Sequence, residues 1–342
     1  MDMNKKTAPR QQQAPLPGVG TEMSRRTLLM AAACGAAAHA AAQPHAAYPA
    51  PGTVTKVIVP FSAGSGTDTM ARALVDELQK ALGTPVVVDN RPGANGAIAA
   101  DLTRKAPADG YTLVLATSSG WSTTPWLLKA ATYDPVKDFT PVARTTVFPF
   151  VLVVSASSPI RTLDDFLKEA RRTPLNMGYG NATGQVAGAH LMKVAGFKAT
   201  AVPYRSTPPA LVDLVGSQFD FMFVDLASSQ GLIKAGKVRP LAMMADQRSS
   251  LVPGVPALGE KFSGFNYVPW GGLMAPSGLS AEITRKLESA ALALLGKPEL
   301  KAKLATLGLE VSAGGSAEFE RFVQEQLKAW GDKVKEAGLE RE

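Results

Sequence analysis

Val57-Ile58-Val59-Pro60-Phe61-Ser62-Ala63-Gly64-Ser65-Gly66-Thr67-Asp68 is the stretch on which the fold turns. A β-branched apolar run ends in glycines and hydroxyls, and Met70-Ala71-Arg72-Ala73-Leu74 opens a helical pattern directly after it. That is the signature of a strand feeding a helix. The same alternation continues outward. Strands are predicted at 54–61, 86–89, 112–116, 150–154, 176–178, 201–204, 220–224, 240–244 and 271–274. Helices are predicted at 67–82, 97–105, 162–172, 185–195, 207–216, 226–236, 280–295, 297–306 and 316–337. Strands alternating with helices predict an α/β fold with mainly parallel sheets. The near-continuous apolar strands agree, because parallel strands are covered on both faces. A chain of 342 residues is longer than an average domain, and two lobes fit that length.

In such sheets ligands bind beyond the carboxyl ends of strands, where helix N-termini present unpaired amides and a partial positive charge. The loops after strands are therefore the informative ones. In the first, Gly64 and Gly66 let the backbone turn and approach a ligand, Ser62, Ser65 and Thr67 offer hydroxyls, and Thr67 or Asp68 can cap the helix. A plain turn with a capping residue is the alternative. Thr69 stands where a dinucleotide fingerprint needs its third glycine, and there is no P-loop. Asp89-Asn90-Arg91-Pro92-Gly93-Ala94-Asn95-Gly96 carries turn chemistry. Thr117-Ser118-Ser119-Gly120 places further hydroxyls at the edge of the first loop, or forms a solvated turn. Gly178-Tyr179-Gly180-Asn181-Ala182-Thr183-Gly184-Gln185 repeats the design of the first loop in the other half of the chain, so the two could close on one anion from opposite sides. Arg205, in Tyr204-Arg205-Ser206-Thr207, could grip a carboxylate or lie on the surface. Asp225, ending its strand, could bind an amine, hold a water or cap the next helix.

Composition narrows the function classes. The net charge is +7, but residues 1–42 hold five basic side chains (Lys5, Lys6, Arg10, Arg25, Arg26) against Asp2 and Glu22. The remainder is mildly basic with no run of five Lys/Arg, which speaks against nucleic acid and suits anionic solutes. The single cysteine, Cys34, lies in the N-terminal apolar stretch, so the rest of the chain has no disulfides, thiolate metal sites or Cys nucleophiles. His190 is the one histidine well inside the chain, on a predicted helix away from strand ends, and is read as a packing residue. Triad catalysis lacks its parts, and no His-x-x-x-His or Glu-x-x-His spacing offers a metal site. An Asp68–Asp225 acid–base pair is the enzyme alternative. No cofactor, no metal and no enzymatic activity are expected.

Ser24-Arg25-Arg26-Thr27-Leu28-Leu29-Met30, followed by small apolar residues to Ala42, has the basic start, short apolar core and small-residue end of an export signal. The paired arginines fit the twin-arginine type. Cleavage after Ala40 or Ala42 is expected, lipidation at Cys34 is the lesser alternative, and Met23 could be the true start. The apolar run is too short for a membrane span, and no later stretch approaches that length.

Taken together the loops resemble the Bug-type solute receptors of tripartite tricarboxylate transporters, over residues 54–339. The matching stretches are Val57–Phe61 with its loop, Val88-Asp89-Asn90-Arg91-Pro92-Gly93-Ala94, Ala108-Asp109-Gly110-Tyr111-Thr112-Leu113 and Tyr133-Asp134-Pro135-Val136-Lys137-Asp138-Phe139. Val202-Pro203-Tyr204, Ile233-Lys234-Ala235-Gly236-Lys237 and Val255-Pro256 follow in order. The resemblance implies a periplasmic binding protein-like fold of the type II, Venus-flytrap kind, with a ligand cleft between two lobes. It implies lobes of 53–146 plus 246–342 and of 147–245, hinged near 143–150 and 245–270. It also implies a carboxylate clamp, partly through water, of Phe61, Ser62, Ala63, Gly66, Thr67 and Asp68 with Thr117 and Ser118, facing Asn181, Thr183, Tyr204 and Asp225. Gly184, Val186 and the pair Val224-Asp225 depart from the residues common in relatives. The expected protein is a periplasmic, monomeric receptor for a small carboxylate, handing it to membrane transporter components. The alternative is a sensor presenting the ligand to a membrane kinase.

Overall fold

The computed structural model describes residues 48–342. The expected export signal, its expected cleavage sites and Cys34 lie outside these residues. Among the described residues are eleven strands and ten helices, arranged as two sheets. The first sheet has the order β11-β4-β10-β3-β1-β2 and the second β7-β6-β8-β5-β9.

Around the first sheet, β1 (Thr55–Val59) leads into α1 (Gly66–Leu82), β2 (Val86–Asn90) into α2 (Ala97–Arg104), and β3 (Thr112–Thr117) into a wide π-type turn (Ser118–Thr123) and short α3 (Thr124–Leu127). Then β4 (Phe139–Val147) reaches the junction with the second sheet. There β5 (Phe150–Ser155), α4 (Leu163–Arg172), β6 (Leu175–Tyr179), α5 (Ala182–Ala195), β7 (Ala199–Pro203), α6 (Thr207–Val215), β8 (Phe221–Asp225), α7 (Leu226–Lys234) and β9 (Val238–Met243) follow. The chain returns through residues 244–269 to β10 (Trp270–Pro276), then α8 (Ala281–Leu295), α9 (Pro298–Thr306), β11 (Glu310–Gly315) and α10 (Ser316–Glu336). Two crossings therefore join the sheets: Phe148-Pro149 between β4 and β5, and residues 244–269 between β9 and β10.

The sheets are mixed rather than mainly parallel. β1 pairs in parallel with β2 and β3, and β6 with β7 and β8. β4, β10 and β11 are antiparallel in the first sheet, as is β5 to both β8 and β9 in the second. The cause is the crossings: a strand that enters a sheet from its neighbour arrives without the helical return that keeps successive strands parallel. β4 and β11 were not predicted. Phe139-Thr140-Pro141-Val142-Ala143-Arg144-Thr145-Thr146-Val147 contains a proline and an arginine, and β11 ends in Gly314-Gly315; β4 becomes a strand through pairing with β10 and β11, and β11 through pairing with β4.

The core follows from the apolar strands. β5, β8 and β10 are buried at every residue, as strands covered on both faces must be. α1 turns Met70, Ala71, Leu74 and Leu78 onto the first sheet, ends on Gly83 in the left-handed region (φ 69°), and so stops where β2 must begin. In the second sheet Phe166 of α4 packs edge-on against Phe221 (centroids 4.9 Å) and Phe197 (5.7 Å). Phe166 is fully buried, so Phe166→Ala is expected to lower unfolding stability by about 3–5 kcal/mol with little change in far-ultraviolet dichroism. Denaturant titration checks it, and a loss under about 1 kcal/mol would contradict this packing.

Candidate functional site

Several of the βα loops of the two sheets meet at one small cavity. The first sheet contributes Phe61, Ser65, Gly66 and Thr67 from the β1–α1 loop, and Thr117, Ser118 and Ser119 after β3. The second contributes Asn181 and Thr183 at the start of α5, Thr207 at the start of α6, and Asp225 at the end of β8. Phe148 and Phe150, at the β4–β5 crossing, complete the wall.

Helix caps explain why these side chains point inward. Ser65 caps α1, its hydroxyl accepting the Asp68 amide at 3.2 Å; the sequence reading had placed the cap at Thr67 or Asp68. Asn181 caps α5, its Oδ1 accepting the Gly184 amide at 2.9 Å, which moves the helix start to Ala182 from the expected 185. Asp225 caps α7 through the Ser228 amide at 2.8 Å. Each cap is a short polar residue at the junction of strand and helix. Sheet topology then brings the three N-termini to one place.

The two sides meet through hydrogen bonds between opposing loops. The Gly66 amide, at the start of α1, donates to Ser228 Oγ at 2.8 Å. The Ala182 amide, at the start of α5, donates to Ser119 Oγ at 3.1 Å. The Ser118 and Thr183 hydroxyls are 3.3 Å apart, and the Ser62 amide donates to Ser206 Oγ at 3.1 Å. Helix-start amides, the natural partners of an anion, are thus occupied by hydroxyls from the opposite side. Gly66 is required here: a Cβ would lie 2.1 Å from Asp225 Oδ1.

Eight of the residues proposed for the clamp line the cavity: Phe61, Gly66, Thr67, Thr117, Ser118, Asn181, Thr183 and Asp225. Four do not. Ala63 is exposed, and Ser62 joins the cross-cleft contacts only through its amide. Tyr204 donates its hydroxyl to Asp213 at 2.8 Å and leans on Phe219, which turns it from the cavity. Asp68 faces its own loop, accepting from the Gly64 amide at 3.0 Å, Arg72 Nε at 2.9 Å and Asn90 Nδ2 at 3.0 Å. It braces the loop rather than lining the cavity, which also separates it from Asp225. Arg205 lies on the surface and reaches the Pro92 carbonyl at 3.3 Å. Ser65, Ser119 and Thr207 also line the cavity; they stand in the loops singled out from sequence but were not among the residues expected in the clamp. Sequence reading missed Phe148 and Phe150 altogether, because an apolar run carries no signal of which ring faces a cleft.

Electrostatically the lining is simple: Asp225 is its one charged side chain. Burial raises the Asp225 pKa above the usual carboxylate range, against the lowering influence of the Ser228 hydroxyl and amide. His190 is buried on α5, with Nδ1 2.8 Å from the Tyr267 hydroxyl and its ring stacked on Phe265. Burial and then the Lys333 charge lower its pKa, so it packs neutral and away from the cavity. Among the described residues no cluster of three or more His, Cys, Asp or Glu could hold a metal.

A two-lobed α/β molecule with a polar cavity between its sheets has the architecture of the periplasmic binding proteins, and the comparisons agree. BugD, a periplasmic binding protein, has a solved structure 28% identical to this chain, covering 85% of it and 100% of BugD, with a TM-score of 0.80. Rpa4515 of R. palustris, solved with adipate, is 32% identical over 85% of this chain and 99% of its own, with a TM-score of 0.82. MatC of Rhodopseudomonas palustris, solved with bound malate, is 31% identical over 83% and 99%, with a TM-score of 0.77. The family model of the tripartite tricarboxylate transporter family receptor (TctC) matches residues 70–339. This chain belongs to that family, a family of solute receptors, and no helix among its described residues is long and apolar enough to cross a membrane.

The Asp68 contacts yield a pH prediction. Burial pushes its pKa up, but the hydrogen bonds from Arg72, the Gly64 amide and Asn90 outweigh it, so the carboxyl titrates below its usual value. A depressed carboxyl stabilises the fold above the unfolded pKa of about 3.9, and that share is lost as pH falls through the folded value. Asp68→Asn is expected to lower stability by about 1 kcal/mol at pH 7, the gap to the native protein closing below about pH 4. Urea titrations at both pH values check it; a gap that persists in acid would contradict the assignment.

Proposed function

We propose that the protein is a periplasmic receptor that captures a small carboxylate in this cavity for the membrane components of a tripartite tricarboxylate-type transporter. One observation carries the reading. The N-termini of α1 and α5, one from each sheet, face the same hydroxyl-lined cavity, and their first amides are held by neutral side chains that an anion can displace. The adipate and malate bound in Rpa4515 and MatC support the ligand class.

On this reading residues 53–146 with 246–342 form one lobe and 147–245 the other, and the two crossings act as hinges. The lobes part, the ligand enters, and closure replaces the hydroxyl contacts by contacts to the carboxylate. Ligand must favour the closed form to shift that balance. The receptor works as a monomer, exported to the periplasm, and binds rather than catalyses; the family's character as receptors supports this.

A thermal-shift screen of residues 48–342 against small carboxylates with neutral and cationic controls tests the class. A ligand at about 100 times its dissociation constant should stabilise by about 2.7 kcal/mol. Shifts confined to neutral or cationic compounds would overturn the anion clamp. With a ligand in hand, the Ser118→Ala/Thr183→Ala double variant is expected to bind at least about 100-fold more weakly, since each of the two hydrogen bonds to a charged group contributes about 1.5–3 kcal/mol. Calorimetric titration reads it, and unchanged affinity would place the ligand elsewhere.

A further inference from the structure

The receptor reading accounts for the amides and hydroxyls of the cavity but leaves Asp225 without a role, and a carboxyl beside an anion clamp is a liability. Asp225 is 6% exposed, and its Oδ1 is pressed against the first turn of α1 at Gly66. Its side-chain partners both donate to it: the Ser228 amide at 2.8 Å, and the Ser228 hydroxyl at 2.8 Å and 2.9 Å to the two carboxyl oxygens. The Ser228 hydroxyl also accepts the Gly66 amide, so its own proton is committed to Asp225. Both carboxyl oxygens thus serve as acceptors toward Ser228. Yet among the residues lining the cavity there is no Lys, Arg or His to balance the charge. Capping α7 does not require it, because asparagine caps a helix as well as aspartate. A buried charge without a partner is costly, and a cation entering the cavity would supply one.

The geometry points to a ligand that brings its own cation: an amino acid whose carboxylate takes the amides at the starts of α1 and α5 and whose ammonium sits on Asp225. A ligand entering between Gly66 and Asp225 would meet Oδ1, which accepts from Ser228 and has lone-pair capacity for an ammonium proton as well. The rest of the wall is Phe61, Phe148 and Phe150, with Phe150 directly across the strand pair from Asp225. A second carboxylate on the ligand would meet these rings or Asp225 itself, with no cation in the lining to receive it. The favoured ligand therefore has one carboxylate, one ammonium and an uncharged side chain.

This rests on the receptor reading, and the test separates the two. Calorimetric titration of residues 48–342 compares L-alanine, L-leucine, L-phenylalanine and 4-aminobutanoate with their desamino counterparts propanoate, 4-methylpentanoate, 3-phenylpropanoate and butanoate, and with adipate and malate. At least one amino acid is expected to bind about tenfold or more tighter than its counterpart. Asp225→Asn, which keeps the helix cap, should bring the amino-to-desamino affinity ratio close to one. Should the variant fail to fold, the amino-to-desamino ratio of the native protein decides alone. Binding of adipate or malate with no amino acid preferred over its counterpart overturns the inference and leaves the receptor standing. An Asp225→Asn protein that keeps the full preference overturns it as well. If no carboxylate of any kind binds, the receptor reading falls and takes this inference with it.

Discussion

Everything at the cavity depends on one constraint: the first amides of a helix have no partner within the helix and must find one. In α1 and α5 the partners come from across the cleft, Ser228 for Gly66 and Ser119 for Ala182. The exchange is reciprocal, since each sheet supplies a helix start and the hydroxyl that satisfies the other's. Such contacts between neutral groups hold the two sides together only modestly, because each net hydrogen bond contributes about 1 kcal/mol after the exchange with water.

The two crossings give that exchange its mechanics. Between Val147 and Phe150 the chain leaves one sheet for the other in two residues, and it returns through 244–269. The crossings do more than join the sheets. Phe148 and Phe150 form the apolar wall of the cavity, while Phe265 and Tyr267 of the return segment pack on His190 of α5 and on Trp330 of α10. The rings at the crossings are thus shared between the wall of the cavity and the packing between the two sheets.

Much of the site was legible because the chemistry of capping is written in short polar residues at fixed places. Asn181 and Asp225 stand between a strand and a helix, with Thr183 in the first turn after Asn181, and that position alone marks them. Ser62, Ala63, Tyr204 and Asp68 stand in the same loops but turn elsewhere, because a loop of a few residues has as many directions as side chains. Which of them faces the cavity is decided by contacts such as Asp68 with Asn90 or Tyr204 with Asp213, each between groups well apart in sequence.

The sequence by itself determined the α/β character, since apolar runs followed by glycine and hydroxyl clusters leave few other ways to pair the backbone, and it marked the loops at which helices start. Only the tertiary structure decided that the sheets are mixed, that Pro141 and Arg144 sit in a strand, and that Phe148 and Phe150 close a cavity. The reason is range: caps and periodicity act within one turn or strand, whereas pairing across a sheet and packing across a cleft join residues that the order along the chain keeps far apart.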